Sequence, residues 1–290
     1  MRIPEKMKTS GKFISLEFFP PKERDAWPSF FAVVEQLKAL NPLFASVTYG
    51  AGGGTQDNTL EIVKRIKSEM NIEPMAHLTC VGADEERIAG FLQNLDEAGI
   101  SNVLALRGDA PKDQPDFDFA AQRFTGSIDL VRFIQERFPH MNAAATAYPE
   151  PHPDTPSISA GVEWARAKVE AGAELLVTQL FFDNRLYFDF VERLQALGGA
   201  VPVLPGILPI MSLKSAKFIL SLCGAAIPGK FLSALEAAHE HGGDEDVKRI
   251  GLDYATRQAQ ELLDGGAPGV HLYTLNRAQA CLEIGNNLTL

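Results

Sequence analysis

The sequence predicts an α/β protein built as a (β/α)8 barrel of the TIM type. Three observations carry this prediction: eight short apolar runs rich in β-forming residues, helical periodicity between most of them, and a length of 290 residues. Most of the runs begin roughly thirty residues apart, the length of one strand-and-helix unit, and such a barrel typically needs roughly 250 residues. A doubly wound open sheet is the alternative, although its commonest forms have five or six strands and a glycine-rich first turn.

The eight candidate strands are apolar without strict polar alternation. This pattern is typical of strands in a parallel sheet that are buried on both faces, because helices or packed side chains cover each side. In chain order the runs are 13–18, 44–49, 74–80, 102–106, 142–147, 174–181, 202–207 and 269–275.

Helical patterns lie between the runs. In residues 59–70 and 84–98, apolar side chains recur every three or four positions, as they do on one face of an α-helix. Residues suited to N-caps stand at the starts of several such segments, namely Asp84, Ser127, Asn184 and Ser212.

The interval between the seventh and eighth runs is long and predicts extra helices. Helical patterns occur there at 213–222, 230–239 and 244–263. Neither an internal repeat nor a linker-like segment divides the chain, so residues 1–290 are expected to form one domain.

The composition is that of a globular protein and argues against several functional classes. With 27 basic and 37 acidic residues the net charge is −10, which leaves no obvious source of the positive charge that binds nucleic acid or an anionic membrane. The longest apolar stretch, residues 201–211, contains three prolines and falls far short of the roughly 18 residues of a spanning helix. The N-terminal residues lack the features of a signal peptide. Cys80, Cys223 and Cys281 are widely spread and fit reduced thiols, so a cytoplasmic location is expected.

Polar side chains gather where the candidate strands end, and barrel enzymes place their active sites at the carboxyl ends of the strands. No sequence pattern for a metal site, a P-loop or a serine nucleophile accompanies them, so no metal is expected. The polar residues at the strand ends are Glu17, Thr48, His77, Thr79, Arg107, Asp109, Tyr148, Glu150, His152, Gln179 and Arg277.

Glu17 is the sharpest single signal among them. It has large apolar neighbours, and burial among such side chains raises the pKa of a carboxyl group and keeps it protonated. On this interpretation Glu17 is a general acid, and the competing interpretation is a buried glutamate paired with an arginine. His77 also has two interpretations, a ligand-binding residue and a core residue with its own hydrogen-bond partners. The second is the commoner case for a histidine on an apolar strand.

Eight sequence blocks, spread over nearly the whole chain and in the same order, together resemble the methylenetetrahydrofolate reductase family. Eight ordered blocks are far more specific than any one of them. The length of the chain resembles the bacterial form of the family, which has the catalytic domain only. The blocks are LEFFPPK (16–22), VTYGAGG (47–53), HLTC (77–80), NVLALRGD (102–109), AYPEPHP (147–153), TQLFFD (178–183), PGILP (205–209) and HLYTLNR (271–277).

The resemblance implies a flavoprotein with FAD and a ping-pong reaction. NAD(P)H reduces the flavin and leaves, and 5,10-methylenetetrahydrofolate then receives a hydride to become 5-methyltetrahydrofolate. Glu17 matches the family's acid, which protonates the folate as its five-membered ring opens, and Asp109 matches the carboxylate beside the flavin. The residues implied to bind FAD are Thr48, His77, Arg107, Gly108, Asp109, Ala147, Tyr148, His152 and Lys168. Those implied to bind the substrates are Glu17, Gln179, Tyr273 and Arg277.

Three features depart from the family pattern. Gly161 stands where the family often has an acidic residue on the helix that leads to Lys168, with Glu163 nearby as a substitute. Residues 110–127 align loosely and carry an insertion, and Ser215 replaces a glutamine that often binds substrate.

Two other functions stay open from the sequence. One is a folate-binding flavoprotein subunit that receives electrons from a partner protein, and the other is a barrel methyltransferase that binds a pterin without flavin. The choice between NADH and NADPH and the oligomeric state, including a homo-oligomer, are not decided by the sequence.

Overall fold

A nearly closed ring of parallel strands forms the centre of the computed structural model, which describes residues 1–49, 56–111, 113–114, 116–151, 155 and 157–290. The strands follow one another in the order β7-β6-β5-β4-β3-β2-β1-β9-β8. This arrangement confirms the predicted (β/α)8 barrel. The strands are β1 (Phe13–Phe18), β2 (Ala45–Val47), β3 (Pro74–Thr79), β4 (Asn102–Leu106), β5 (Asn142–Ala147), β6 (Leu175–Thr178), β7 (Val203–Leu204), β8 (Gly206–Ile207) and β9 (Gly269–Tyr273).

The seventh barrel strand is split, which the sequence interpretation did not foresee. Residues 202–207 were predicted as one strand, but Pro205 separates β7 from β8. Proline has no backbone N–H and cannot donate to the ladder. As a result β7 pairs with β6, β8 pairs with β9, and the Pro205 carbonyl accepts a hydrogen bond from the His271 N–H at 2.9 Å.

The helices surround the barrel in the expected alternation with the strands. No helix of the described residues is both long and apolar enough to span a membrane. The helices found in the described ranges are α1 (Ile3–Thr9), α2 (Trp27–Leu37), α3 (Gln56–Ser68), α4 (Glu85–Glu97), α5 (Ser127–Arg137), α6 (Ile158–Glu170), α7 (Asn184–Ala196), α8 (Leu213–Cys223), α9 (Gly229–Asp264) and α10 (Ala278–Asn286).

Extra helices do lie between the last two barrel strands. Helix α8 matches the first predicted pattern there, and α9 contains the other two. Gly243 interrupts α9 with φ 63° and ψ −148°, a backbone conformation that glycine adopts without steric cost, and this break separates the two predicted segments.

Two of the four predicted N-caps are correct. Asp84 accepts a hydrogen bond from the Arg87 N–H, and Ser212 forms a capping box with Ser215. Helix α5 is instead capped at Gly126, so Ser127 is its first helical residue. Helix α7 is capped by the Asp183 carboxylate, because the Asn184 side chain donates to the Gln258 carbonyl and to Glu261 instead.

The interior of the barrel is apolar at one end and polar at the other. At the amino-terminal end, Phe13, Phe44, Met75 and Leu104 pack together, and Ile3 of α1 closes this end with no solvent exposure. Toward the carboxyl ends of the strands the buried side chains are polar: Ser15, Glu17, Ser46, His77 and His271. This asymmetry places the unusual chemistry where barrel enzymes have their active sites.

Candidate active site

A large cavity opens at the carboxyl ends of the strands. Its volume is about 1870 Å³, which exceeds the roughly 300–1,000 Å³ of an ordinary ligand pocket. It therefore has room for a cofactor and a second ligand together. The predicted site residues that line it are Glu17, Thr48, His77, Arg107, Gly108, Asp109, Ala147, Tyr148, Lys168 and Gln179.

Three predicted residues are not among these lining side chains. Tyr273 is paired in register with Glu17 and its hydroxyl donates to the Thr178 carbonyl at 2.7 Å. Arg277 precedes α10 with an exposed side chain. His152 and the whole of the glycine-rich run 50–54 lie outside the described residues.

Glu17 lies at the centre of a buried polar cluster. Its Oε2 atom is 3.4 Å from the Nε2 atoms of both His77 and His271, and it accepts a hydrogen bond from the Ser46 hydroxyl at 3.4 Å. The other ring nitrogen of His271, Nδ1, lies 2.7 Å from the Ser15 hydroxyl oxygen. Alternation along β1 and β9 explains the grouping, since Ser15, Glu17 and His271 all point into the barrel.

The expected rise in the pKa of Glu17 is wrong for this environment. Burial does raise the pKa, but His77, His271 and the Ser46 hydroxyl together lower it below the usual value of 4.5. Burial also lowers the pKa of His77 to about 4. Glu17 is therefore a carboxylate at neutral pH, next to a neutral His77. None of the arginines in the described part of the chain is its partner, so the structure contradicts the competing interpretation of a glutamate paired with an arginine.

His77 has a buried nitrogen without a hydrogen bond. Although its Nε2 atom is near Glu17, no described residue forms a hydrogen bond with it. Buried polar atoms in native structures are nearly always satisfied, so an unpaired one in a cavity wall indicates a position where a ligand atom binds.

Lys168 brings a positive charge to another wall of the cavity. Its ammonium donates to the Thr146 carbonyl at 2.8 Å and to the Thr146 hydroxyl at 3.3 Å, and it lies 5.6 Å from the Tyr148 ring centroid. Burial lowers its pKa to about 8. None of the described carboxylates is within ion-pair distance of it, and a buried cation without a counter-charge suits an anionic ligand.

The loop after β4 presents its backbone to the cavity. Gly108 has φ 86°, and a Cβ atom there would lie 2.6 Å from Val81 Cγ1, so the position admits glycine alone without rearrangement. The Arg107 guanidinium lies 4.4 Å from the Phe119 ring centroid, and Asp109 is exposed at the rim.

Comparison with known proteins identifies the relatives of this chain. The family model described as methylenetetrahydrofolate reductase matches residues 2–289. The chain belongs to the methylenetetrahydrofolate reductase family. Methylenetetrahydrofolate reductase (NADH) 1 of Arabidopsis thaliana is 36% identical over 100% of this chain and 51% of its own length. The 5,10-methylenetetrahydrofolate reductase of Escherichia coli is 33% identical over 95% of this chain and 90% of its own length.

The chain thus spans about half the length of the plant members of the family, with coverages of 51%, 51% and 48% of three such proteins. A solved structure with a similar fold is a Clostridium thermocellum protein described as binding two copies of 5-methyl-5,6,7,8-tetrahydrofolic acid. Its TM-score is 0.69 at 12% identity, covering 99% of this chain and 98% of that one. At this identity the likeness concerns the fold alone.

Some residues of this reductase-family site were missed from the sequence. His271 belongs to the HLYTLNR block, but no role was predicted for it from the sequence. It lies two residues before Tyr273 on β9, so both side chains are on the same face of the strand, and His271 lies inside the barrel beside Glu17. The described residues between 110 and 127 contribute to the cavity lining, including Asp113, Gln114 and Phe117, and no sequence signal indicated this.

No described group of three or more histidine, cysteine, aspartate or glutamate side chains has the arrangement of a metal site. The family site, within the described residues, consists of the Glu17 cluster, the Lys168 ammonium and the Gly108 loop around one cavity.

Proposed function

We propose that the chain reduces 5,10-methylenetetrahydrofolate to 5-methyltetrahydrofolate with NAD(P)H, in ping-pong fashion, using FAD as its bound cofactor. The observation that carries this proposal is the shared cavity, in which a buried carboxyl and a buried cation without a counter-charge face the same space. Family membership supplies the reaction class, and the side chains supply the chemistry.

The residues present fit FAD. Lys168 is a buried cation that lacks an acidic partner among the described residues, and the two phosphates of FAD would supply the missing negative charge. Arg107 also lines the cavity, just after β4, which pairs with the strand that Lys168 contacts through Thr146. Gly108 lets a ligand approach the backbone closely. When bound, FAD supplies a carrier that accepts a hydride from NAD(P)H and passes it to the folate.

Glu17 is the proposed acid for the folate half of the reaction. Opening of the five-membered ring leaves a nitrogen that needs a proton, and Glu17 is the carboxyl group that the barrel holds inside the cavity. In the protein alone its pKa is lowered by the imidazoles. We infer that bound ligands exclude water from the cluster and so strengthen the effect of burial, which raises the pKa of Glu17. Glu17 is then protonated and can donate this proton to the folate.

Asp109 and Gln179 complete the proposed site. Asp109 at the rim places negative charge where it favours the cationic iminium form of the folate, which forms when the ring opens. Gln179 accepts a hydrogen bond from the Leu180 N–H through its Oε1 atom, which leaves its amide NH2 to donate to the substrate in this proposal.

Measuring the two half-reactions of Glu17→Gln tests the role of the acid. Reduction of bound flavin by NADH or NADPH should persist, while reduction of the folate should fall by roughly 10²–10⁴-fold, because only that step needs the proton. Glu73→Gln is a matched control, since Glu73 is a largely buried carboxylate at the opposite end of the barrel that binds Lys67 and the N-terminus. Equal losses in both half-reactions of Glu17→Gln would remove Glu17 from the acid role.

The electron donor separates this function from its alternative. The relatives carry both nucleotide preferences in their names, with NADH in the Arabidopsis protein and NADPH in the Caenorhabditis elegans one. Flavin reduction by either nucleotide in the purified chain supports the reductase. Reduction only after a second polypeptide is added would support a subunit that receives electrons from a partner.

A further inference from the structure

Trp164 is a large aromatic side chain left open on the wall of the cavity. It lies on α6, lines the cavity and is 47% exposed. The other tryptophan of the chain, Trp27, is 4% exposed in the core. A half-exposed indole that borders a ligand cavity is a surface on which a flat ligand ring can bind.

The surroundings of Trp164 leave room for such a ring. A Cβ atom at Gly161, one turn earlier on α6, would meet only Thr155 Cγ2, at 3.8 Å. Gly161 lines the same cavity as Trp164, so the helix face beside the indole carries no side chain at that position. Gly126, elsewhere in the lining of the cavity, would also meet nothing within 4 Å of a Cβ atom.

Among the described residues, α6 brings no acidic side chain to the wall of the cavity. Gly161 has no carboxyl, and Glu163, the substitute considered from the sequence, is exposed and outside the described lining of the cavity. Helix α6 therefore offers a bound nucleoside no carboxylate to accept a hydrogen bond, but it offers the Trp164 ring for stacking.

Trp164 also stands at a fixed offset from the buried cation. It precedes Lys168 by four residues on α6, which corresponds to one helical turn or roughly 6 Å along the axis. Residues four apart lie on the same helix face, so a ligand phosphate at Lys168 places the attached nucleoside within reach of Trp164.

We propose that Trp164 stacks on the adenine ring of FAD and selects the dinucleotide over FMN. This inference rests on the proposed function, because it assumes that FAD is the cofactor. Lys168 holds the phosphates, Gly161 leaves space for the base on α6, and the indole replaces a polar contact to the adenosine.

The test compares the dissociation constants of FAD and FMN for the flavin-free full chain. Trp164→Ala should weaken FAD binding by about 5- to 100-fold, the range expected for losing one aromatic–base stack, and leave FMN binding within about twofold. Trp164→Phe should retain part of the FAD affinity. Phe218→Ala is the matched control, because Phe218 is an exposed aromatic residue, 63% accessible, that is not among the described lining of the cavity.

Tryptophan fluorescence gives a second readout. ADP carries the adenine but no flavin, and it should quench the emission of the unaltered chain and not that of Trp164→Phe, in which only the buried Trp27 remains. Unchanged emission, or equal losses of FAD and FMN affinity in Trp164→Ala, would overturn the inference.

The outcomes also separate this inference from the proposed function. Tight FAD binding that Trp164→Ala does not weaken would overturn the stacking alone, and would mark the exposed indole as a contact for another molecule. Failure of the unaltered chain to bind FAD at all would overturn both.

Discussion

Lys168 keeps a positive charge in a place where water cannot solvate it. The side chain is 8% exposed, and its pKa falls to about 8 because burial disfavours the charged form. An unfolded lysine has a pKa near 10.4, so at neutral pH the folded protein without ligand is destabilised by this charge. A bound phosphate would offset this cost, as the proposed role of Lys168 in binding FAD requires.

Lys168→Met should therefore act in opposite directions on stability and on binding. The free energy of unfolding of the flavin-free protein at pH 7 should rise by roughly 1–3 kcal/mol, because an apolar chain replaces a buried charge. FAD affinity should fall at the same time. Urea denaturation and flavin titration measure the two effects.

Lys64→Met provides the comparison at an exposed position of α3, where both the free energy of unfolding and the FAD affinity should change little.

The pH dependence of stability offers a further check on Lys168. Between about pH 8 and 10.4 the unfolded state binds the lysine proton and the folded state has lost it, so stability of the unaltered chain should rise with pH there. A destabilised Lys168→Met protein would contradict this account.

Glu17 shows what a sequence pattern leaves out. Apolar neighbours along β1 correctly indicated burial, and burial does raise the pKa. The groups that reverse the direction, His77 on β3 and His271 on β9, approach Glu17 only after the barrel forms. Neighbours along the chain could be read from the sequence, but neighbours across the sheet could not.

The loop after β4 depends on one backbone conformation. Gly108 has φ 86° and lies close to Val81, so any other residue there would be strained in its backbone and would clash with Val81. Arg107 and Asp109 on either side are aimed by this turn toward the cavity.

Gly108→Ala should cost about 2–4 kcal/mol of unfolding free energy and weaken FAD binding, since both the backbone strain and the contact with Val81 must be relieved. Gly198→Ala is the matched control, because Gly198 has φ 83° and nothing within 4 Å of its Cβ position. It should cost only about 1 kcal/mol, from conformation alone. Equal costs at both positions, measured by urea denaturation, would show that the contact with Val81 is unimportant.

Individual elements differ in how well the sequence predicts them. Strands β1, β4 and β5 have the predicted bounds because a proline or a charged residue follows each apolar run within two positions. Residues 202–207 failed as a single strand because a hydrophobic pattern does not register the missing N–H of Pro205. Asn184 failed as a cap because its amide has partners on α9, which no local pattern reveals.

The molecule as a whole separates a stabilising end from a functional end. Apolar packing at the amino-terminal end supports the barrel, while the carboxyl end buries ionisable groups. The fold followed from the sequence, and most of the predicted site residues line the cavity, because strand ends of a barrel converge by topology. The Trp164 surface and the wall from residues 110–127 did not, because they depend on loop and helix placement around the cavity.

The pH dependence of global stability should reflect the titration of His77. His77 has a pKa of about 4 when folded and near 6.5 when unfolded, so the unfolded state binds more protons between these values. Stability should therefore fall as the pH drops from 6.5 to 4, by up to about 3 kcal/mol from this residue. The lowered pKa of Glu17 adds a loss in the same direction below 4.5.

His77→Gln should flatten this part of the stability curve, because glutamine does not titrate. His241→Gln, at an exposed position on α9, should leave the curve unchanged. Urea denaturation across the pH range measures both variants, and an equally steep curve in His77→Gln would show that another group causes the acid sensitivity.

The visible absorption spectrum of the purified protein, recorded before and after anaerobic addition of NADH or NADPH and then of 5,10-methylenetetrahydrofolate, tests the central claim most directly. We expect a yellow protein whose flavin absorbance is bleached by the nucleotide and restored by the folate. A colourless protein that neither takes up added FAD nor oxidises reduced nucleotide would contradict the proposed reductase.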